Sequence, residues 1–290
     1  MESGMRRLIG VGLAIVVAAA GARAQESEQG AQPELMNSSA MGVGGNEREA
    51  FQIFDNLYYV GINFVSAYVV PTTDGLILID TTYDNTVDHL VKGMQSFGFD
   101  PADIKYILVT HWHADHLGGA DKLQAMSGAP VGMAARDWDS TFIKHAIPAH
   151  KVWRINDGDT LTLGDTTMLF FQTPGHTEGV LSIAFTVYDN GTPHNAFTFG
   201  GTGLNFSGVD SAEQFLASVV RLQAMEGIEV NVANHESMGR IFERAEKLKT
   251  REVGEPHPFV DPEGFYGWLN GLHDAAVAKL QREREKAARR

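Results

Sequence analysis

A chain of 290 residues that is 43% hydrophobic and 20% charged can bury a full core, which excludes an intrinsically disordered protein and leaves one large domain or two small ones. Its formal charge of −13 argues against nucleic acid or an anionic membrane surface as a partner. Cysteine is absent, so disulfides, thiolate metal ligands and a lipidated cysteine anchor are excluded, and any zinc must be held by histidine and carboxylate.

In chain order, Arg6 and Arg7 precede an apolar run from Leu8 to Ala20 and then Ala22-Arg23-Ala24, the pattern of a signal peptide over residues 1–24 with a small-residue cleavage site. The run is shorter than the roughly 20 residues that a bilayer crossing needs. Export to the periplasm or the medium is therefore expected, with no membrane contact once the signal is removed. Arg6, Arg7 and Arg23 against Glu2 leave that segment at +2, so the remainder would stand at −15.

Residues 25–46, rich in Gly, Ser, Gln and Glu without apolar periodicity, read as a flexible N-terminal leader, and residues 47–290 as the folded domain. LYYVG, FVSAYVV and LILID are short runs rich in β-branched and aromatic residues and read as strands. Val87, Leu90, Val91 and Met94 recur at spacings of three and four, which predicts a helix from Asp84 to Phe97 with Asp84 as its N-cap. IKYILVT is a buried strand that runs straight into HWHADH. Beyond it come a helix from Gly118 to Met126 and a strand from Val131 to Ala134, then strands within TLTLGDTTMLFFQT, VLSIAFTV and NAFTFGG. A helix from Ser211 to Met225, a strand IEVNVANH, a helix from Gly239 to Thr250 and a long helix from Pro262 to Lys286 complete the chain. Two such halves, packed sheet on sheet with helices outside, predict an α/β protein arranged as a four-layer αββα sandwich.

His111, His113, Asp115 and His116 fall within six residues, directly after a buried strand. A strand end is rigid and the loop beyond it exposed, so several ligands can converge there on one point. His176 follows the Pro174-Gly175 turn in TPGHTEG, and His235 follows VNVAN, each with the same strand-to-loop placement. Alone, either would read as an ordinary surface histidine; beside HWHADH they complete a set. His89, His145, His150, His194, His257 and His273 lack a ligand-rich context, although His145 and His150 flank Pro148 in a segment that could lie over a pocket. Five histidines and one aspartate can serve two metals with three ligands each, a donor set that suits zinc. Zinc ions paired about 3.5–4 Å apart lower the pKa of a bound water to about 7, which supplies a nucleophile at neutral pH. Serine-nucleophile and zincin motifs (G-x-S-x-G, S-x-x-K, H-E-x-x-H) are absent.

The chain resembles the metallo-β-lactamase superfamily, whose H-x-H-x-D-H loop matches His111 to His116. The resemblance extends through LILIDTTY, IKYILVTHWHADHLGG, DGDTLTLGDTT, TPGHTEG and GEPHPFV, and among the true lactamases it is greatest to the subclass called B-three, which uses no cysteine ligand. By matching position it implies that His111, His113 and His176 bind one zinc and Asp115, His116 and His235 a second, with Asp115 also serving catalysis. Asp80, which ends LILID, resembles the family's buried aspartate behind the metal loop; an acid closing a strand turn is the alternative.

Glyoxalase-like and lactonase relatives place a metal-bridging aspartate after the strand NAFTFGG, where this chain reads Gly200, Gly201 and Thr202. That departure favours the lactamase arrangement, with Thr202 offering a hydroxyl to a substrate carboxylate. Trp112 between two ligands and Glu178 in place of a usual proline bear on pocket shape. The expectation is thus a zinc hydrolase opening the β-lactam ring of small-molecule antibiotics, and so conferring antibiotic resistance. The alternatives are hydrolysis of another ester, lactone or thioester on the same metals, and a zinc-binding protein without catalysis.

Overall fold

Short β-branched and aromatic runs fill the first half of the chain and pair into one seven-stranded sheet. Antiparallel strands β1 (Phe51–Phe54), β2 (Leu57–Tyr59), β3 (Tyr68–Thr72) and β4 (Gly75–Ile79) lead by helix α1 (Val87–Ser96) into β5 (Ile104–Leu108), which lies parallel to β4. After α2 (Ala114–Leu117) and α3 (Ala120–Ser127) the chain adds β6 (Val131–Ala134), turns through α4 (Ala135–Trp138), and adds β7 (Val152–Ile155). A parallel pair needs a crossover, which α1 and α3 supply, and all four residues of β6 are buried, as befits a strand covered on both faces. This computed structural model describes residues 47–140 and 151–290, which lie within one compact unit, Glu34–Arg290. The signal peptide expected over 1–24, the leader over 25–46, and His145 and His150 lie outside the described residues.

The second half forms a five-stranded sheet. Strands β8 (Thr160–Leu163), β9 (Thr166–Gln172), β10 (Leu181–Asp189) and β11 (Thr192–Thr198) are antiparallel neighbours. The β10–β11 hairpin closes on Asn190 and Gly191, both at positive φ (48° and 80°), the backbone that a two-residue turn between twisted strands demands. Helix α5 (Val209–Gln223) carries the chain to β12 (Val230–Asn231), parallel to β11, and α6 (Glu236–Gly239), α7 (Ile241–Lys249) and α8 (Pro262–Ala288) follow. Asp261 caps α8 by accepting from the Gly264 N–H, with Pro262 in the first turn, where its missing N–H costs nothing.

Three apolar clusters give the layers. Tyr59, Tyr68, Ile77 and Leu108 of the first sheet interleave with Phe170, Leu181, Ile183 and Val187 of the second, so the sheets pack face to face. Leu78, Ile107 and Val131 face Leu90 and Met94 of α1 and Leu123 of α3, while Phe197 and Phe199 face Phe215 of α5 and Phe265 and Leu269 of α8. The result is the αββα sandwich expected from the sequence. Local expectations fared less evenly. Asp84 heads a single 3-10 turn (Asp84–Thr86) whose N-cap is Tyr83, and its carboxylate pairs with Lys122 at 3.1 Å rather than capping α1. The IEVNVANH strand pairs in the sheet only over Val230–Asn231, with isolated bridges from Val230 to Val260 and from His235 to Val65. Strands β1 and β7 are additional to those expected.

Candidate metal centre

Three connections that leave the sheets converge. Thr110, after β5, accepts the Leu181 N–H at 2.7 Å, and Asn234, after β12, accepts the Ser66 N–H at 3.0 Å, so these strand ends are fixed by backbone bonds. From them project His111, His113, Asp115 and His116 at the β5 end, His176 between β9 and β10, and His235 after β12.

The six side chains fall into two triads. His111 Nε2, His113 Nδ1 and His176 Nε2 lie 3.1–3.2 Å from one another. His116 Nε2 lies 3.2 Å from His235 Nε2 and 3.3 Å from Asp115 Oδ2, with 3.7 Å between Asp115 Oδ2 and His235 Nε2. Zinc–nitrogen bonds of about 2.0–2.1 Å in a tetrahedron put ligand atoms about 3.3 Å apart, so both triads have the spacing of three ligands around one ion. Asp115 Oδ1 is also buried without a hydrogen-bond partner among the described residues, an otherwise costly state that a cation relieves. The donor set fits a pair of zinc ions.

The outward ring nitrogens of His111, His116, His176 and His235 are held as well, which fixes the orientation of those four imidazoles. His111 Nδ1 donates to the Gly200 carbonyl (2.7 Å), His176 Nδ1 to the Gly203 carbonyl (2.8 Å) and His235 Nδ1 to the Phe64 carbonyl (3.0 Å). His116 Nδ1 instead meets Asp80 Oδ2 at 2.8 Å, and the same carboxylate accepts from Thr110 N and Oγ1. Of the two readings of Asp80, the structure thus places it behind the metal loop. Its backbone sits at φ 59° and that of Thr82 at φ 56°, left-handed conformations that cost on the order of 1 kcal/mol or more each and persist where surrounding contacts overdetermine them.

Electrostatics separate the triads. Burial pushes His113 down to about 3 and His176 to about 4, and also lowers His111 and His235, so these four imidazoles stay neutral and ready to ligate. Burial would lower His116 too, but the carboxylates of Asp115 and Asp80 outweigh it and raise His116 to about 10. Burial opposes ionisation of Asp115, yet His116, His235 and His113 hold its carboxyl well below the usual range.

A cavity of about 270 Å³ opens over the triads, lined by Thr202, Gly203, Leu204, Asn205, Ser237 and Met238 together with five of the six ligand candidates; His116 lies beneath. Thr202 Oγ1 is buried without a hydrogen-bond partner among the described residues. Trp112, whose bulk bears on pocket shape, does not line the cavity: its ring packs with the apolar layer under α1 and α3 and abuts His113 at 4.5 Å between centroids. Glu178 is exposed. His89, His194, His257 and His273 bond elsewhere, to Arg48, Glu229, Ile53 and Asp274. Sequence reasoning missed the carbonyls of Phe64, Gly200 and Gly203, which leave no side-chain signal. It also missed Asn234, whose Nδ2 donates to Gly200 O at 2.7 Å, and Asp137, which a polar residue just beyond an all-apolar strand could have flagged.

The chain is similar to known proteins. Residues 60–189 match the family model of the metallo-beta-lactamase superfamily. The crystal structure of BJP-1, a subclass B3 metallo-beta-lactamase of Bradyrhizobium japonicum, superposes with a TM-score of 0.75 at 28% identity, covering 83% of this chain and 97% of that one. A hydroxyacylglutathione hydrolase of Methylococcus capsulatus is 34% identical over 120 residues, 41% of this chain and 43% of that protein. An N-acyl homoserine lactonase of Bacillus thuringiensis is 24% identical over 156 residues, 44% of this chain and 60% of that protein. The chain thus spans about half the length of these two curated relatives. Residues 60–189 thus carry a metallo-beta-lactamase superfamily domain, a metal-dependent family, within a fold that is like a subclass B3 enzyme over 83% of the chain.

Proposed function

We propose that this chain is a zinc-dependent hydrolase that opens the β-lactam ring of antibiotics, with one zinc at His111, His113 and His176 and a second at Asp115, His116 and His235. The observation that carries the reading is the supply of acids. Asp115 is the single carboxylate among the described residues lining the cavity, and the turn after β11 offers Gly200, Gly201 and Thr202 where lactonase-like relatives place a bridging aspartate. Gly200 has no room for a side chain, since a Cβ there would strike the Leu181 carbonyl.

Bound zinc supplies a Lewis acid for the carbonyl and lowers the pKa of a water to about 7. The chain's own groups do the rest. Ring opening adds the water oxygen to the carbonyl carbon, breaks the C–N bond and leaves nitrogen needing a proton. Asp115, the one carboxylate of the described residues on the cavity, would take the water's proton on Oδ1, which accepts no hydrogen bond from the described residues, and return it to that nitrogen. Thr202 Oγ1 donates to a substrate carboxylate or carbonyl, and Leu204 and Met238 form the apolar wall. A cleft of this size takes a small molecule.

The matches to a hydroxyacylglutathione hydrolase and an N-acyl homoserine lactonase favour one alternative, an ester, lactone or thioester substrate on the same metals. A zinc-loaded preparation assayed on a chromogenic cephalosporin, a lactone and a thioester decides between them. Cephalosporin turnover abolished by a chelator and restored by zinc is expected; turnover of the lactone or thioester alone would replace the leading reading, and no turnover at all would leave a zinc-binding protein without catalysis. Elemental analysis should give two zinc per chain, and one or fewer would end the two-metal account. Arg6, Arg7 and the apolar run to Ala20 support export to the periplasm or medium; a wholly cytoplasmic pool on cell fractionation would refute it.

A further inference from the structure

Asp137 is fully buried in α4, directly after β6, and none of its partners among the described residues is a cation. A buried carboxylate in this state is costly; burial pushes its carboxyl up to about 7, against the three hydrogen bonds that lower it. Those bonds have a pattern. Oδ2 accepts the Trp112 N–H at 3.2 Å and the Thr177 hydroxyl at 2.9 Å, while Oδ1 accepts the Gly179 N–H at 2.7 Å. Trp112 stands between His111 and His113, and Thr177 follows His176. All three donors therefore belong to the two loops that carry the first triad, and none is beside His116 or His235. The sequence is fitted to the contact, because a Cβ at Gly179 would strike the Asp137 backbone nitrogen.

We infer that Asp137 is the positioning residue of the three-histidine half of the centre, a carboxylate clamp that ties the HWH loop to the GHTEG loop and presets the convergence of His111, His113 and His176. The two loops are 65 residues apart between His111 and His176, and they must reach 3.1–3.2 Å ligand spacing without a covalent tie. One oxygen pair gripping both loops removes that conformational freedom before metal arrives, so its effect lies in metal affinity at one triad rather than in the fold at large. The inference rests on the two-zinc reading above.

Asp137→Asn keeps the volume but turns an amide N–H₂ toward at least one of the three donors. Metal-free wild type and variant are titrated with zinc against a chromophoric chelator, and folding is followed by melting of the metal-free proteins. One zinc should bind at least about tenfold more weakly in the variant, the usual scale for a lost support behind a ligand, while the other changes less than about threefold. In a His176→Ala background, where the first triad is already broken, Asp137→Asn should add nothing; in a His235→Ala background its full effect should persist. A folded variant with both affinities unchanged overturns the clamp, as does equal weakening in the two backgrounds. Should Asp137→Asn fail to fold, Thr177→Val removes one donor only and must weaken the same zinc; unchanged affinity there overturns the clamp too. A wild type that binds a single zinc refutes the two-metal reading instead, and the clamp then stands or falls on whether Asp137→Asn weakens that ion.

Discussion

His111 and His176 turn their outward nitrogens to backbone carbonyls, whereas His116 turns its own to the Asp80 carboxylate. The first triad is thus three neutral imidazoles, two of them held by carbonyl dipoles, and the second is a cluster in which the carboxylates of Asp115 and Asp80 favour a protonated His116 while no metal is bound. The same residue type serves both because the supports differ. Neutral rings give a triad that competes with no proton near neutral pH, while the second must exchange the His116 proton for metal. The comparison predicts that the two halves fill differently, and removing single groups tests it.

The largest effect is expected from deleting ligands. His176→Ala and His235→Ala should each lose one zinc and bring hydrolysis to background, with the fold kept by the core around Phe170, Ile183 and Phe197. Wild-type metal content in either variant would remove that residue from the centre. His257→Ala is the control. His257 is buried against Phe54 at 4.1 Å, bonds to Ile53 and lines no part of the cavity, so its loss should lower the melting temperature and leave zinc content intact.

Next comes the support of the charged half. Asp80→Ala strips His116 Nδ1 and both Thr110 donors of their acceptor, so zinc affinity should fall about 10–100-fold, and breaking a buried pair should cost about 3–5 kcal/mol of stability. Asp80→Asn keeps a residue that tolerates the φ of 59° and should recover part of the stability without the charge. If denaturant melts and zinc titrations show Asp80→Asn indistinguishable from the wild type, the Asp80 charge does not distinguish the second triad from the first.

The ligands were legible in the sequence because their chemistry is in the side chains and the HWHADH spacing is local. The sandwich was legible for a similar reason, since apolar period and turn residues mark each strand within a few positions. What escaped was non-local or carried by the backbone. Gly200 and Gly203 act through carbonyls that any residue type would offer, and Asp137 works across a 42-residue separation to Gly179. VWRI at β7 mixes a charge into a four-residue strand, and IEVNVANH has a strand's composition but finds a neighbour for little of its length. Pairing is decided by tertiary context there, not by propensity.

The smallest effect is expected far from both triads, where α8 supports the cavity wall. Gly208, just past Asn205 and Phe206, donates its N–H to Glu283 Oε2 at 3.1 Å, and Lys279 lies 5.2 Å from the Phe206 ring centre. Glu283 is 5% exposed and bridges Lys286 at 2.8 Å and Lys279 at 3.1 Å. The Lys286 hydrogen bond, then the Gly208 N–H and Lys279, hold its carboxyl down to about 2. A folded-state value below the unfolded one, about 4.3, means that the carboxylate stabilises the fold above that pH and ceases to as pH falls through about 2. Glu283→Gln keeps the shape and removes the charge. At pH 7 it should cost on the order of 1 kcal/mol, because Lys286 is exposed and screened, and zinc content should not change. The gap in melting temperature between metal-free wild type and variant should then close steadily from about pH 4.3 to about pH 2. A gap that stays constant over that range would mean that packing of the side chain, and not its charge, anchors the loop to α8.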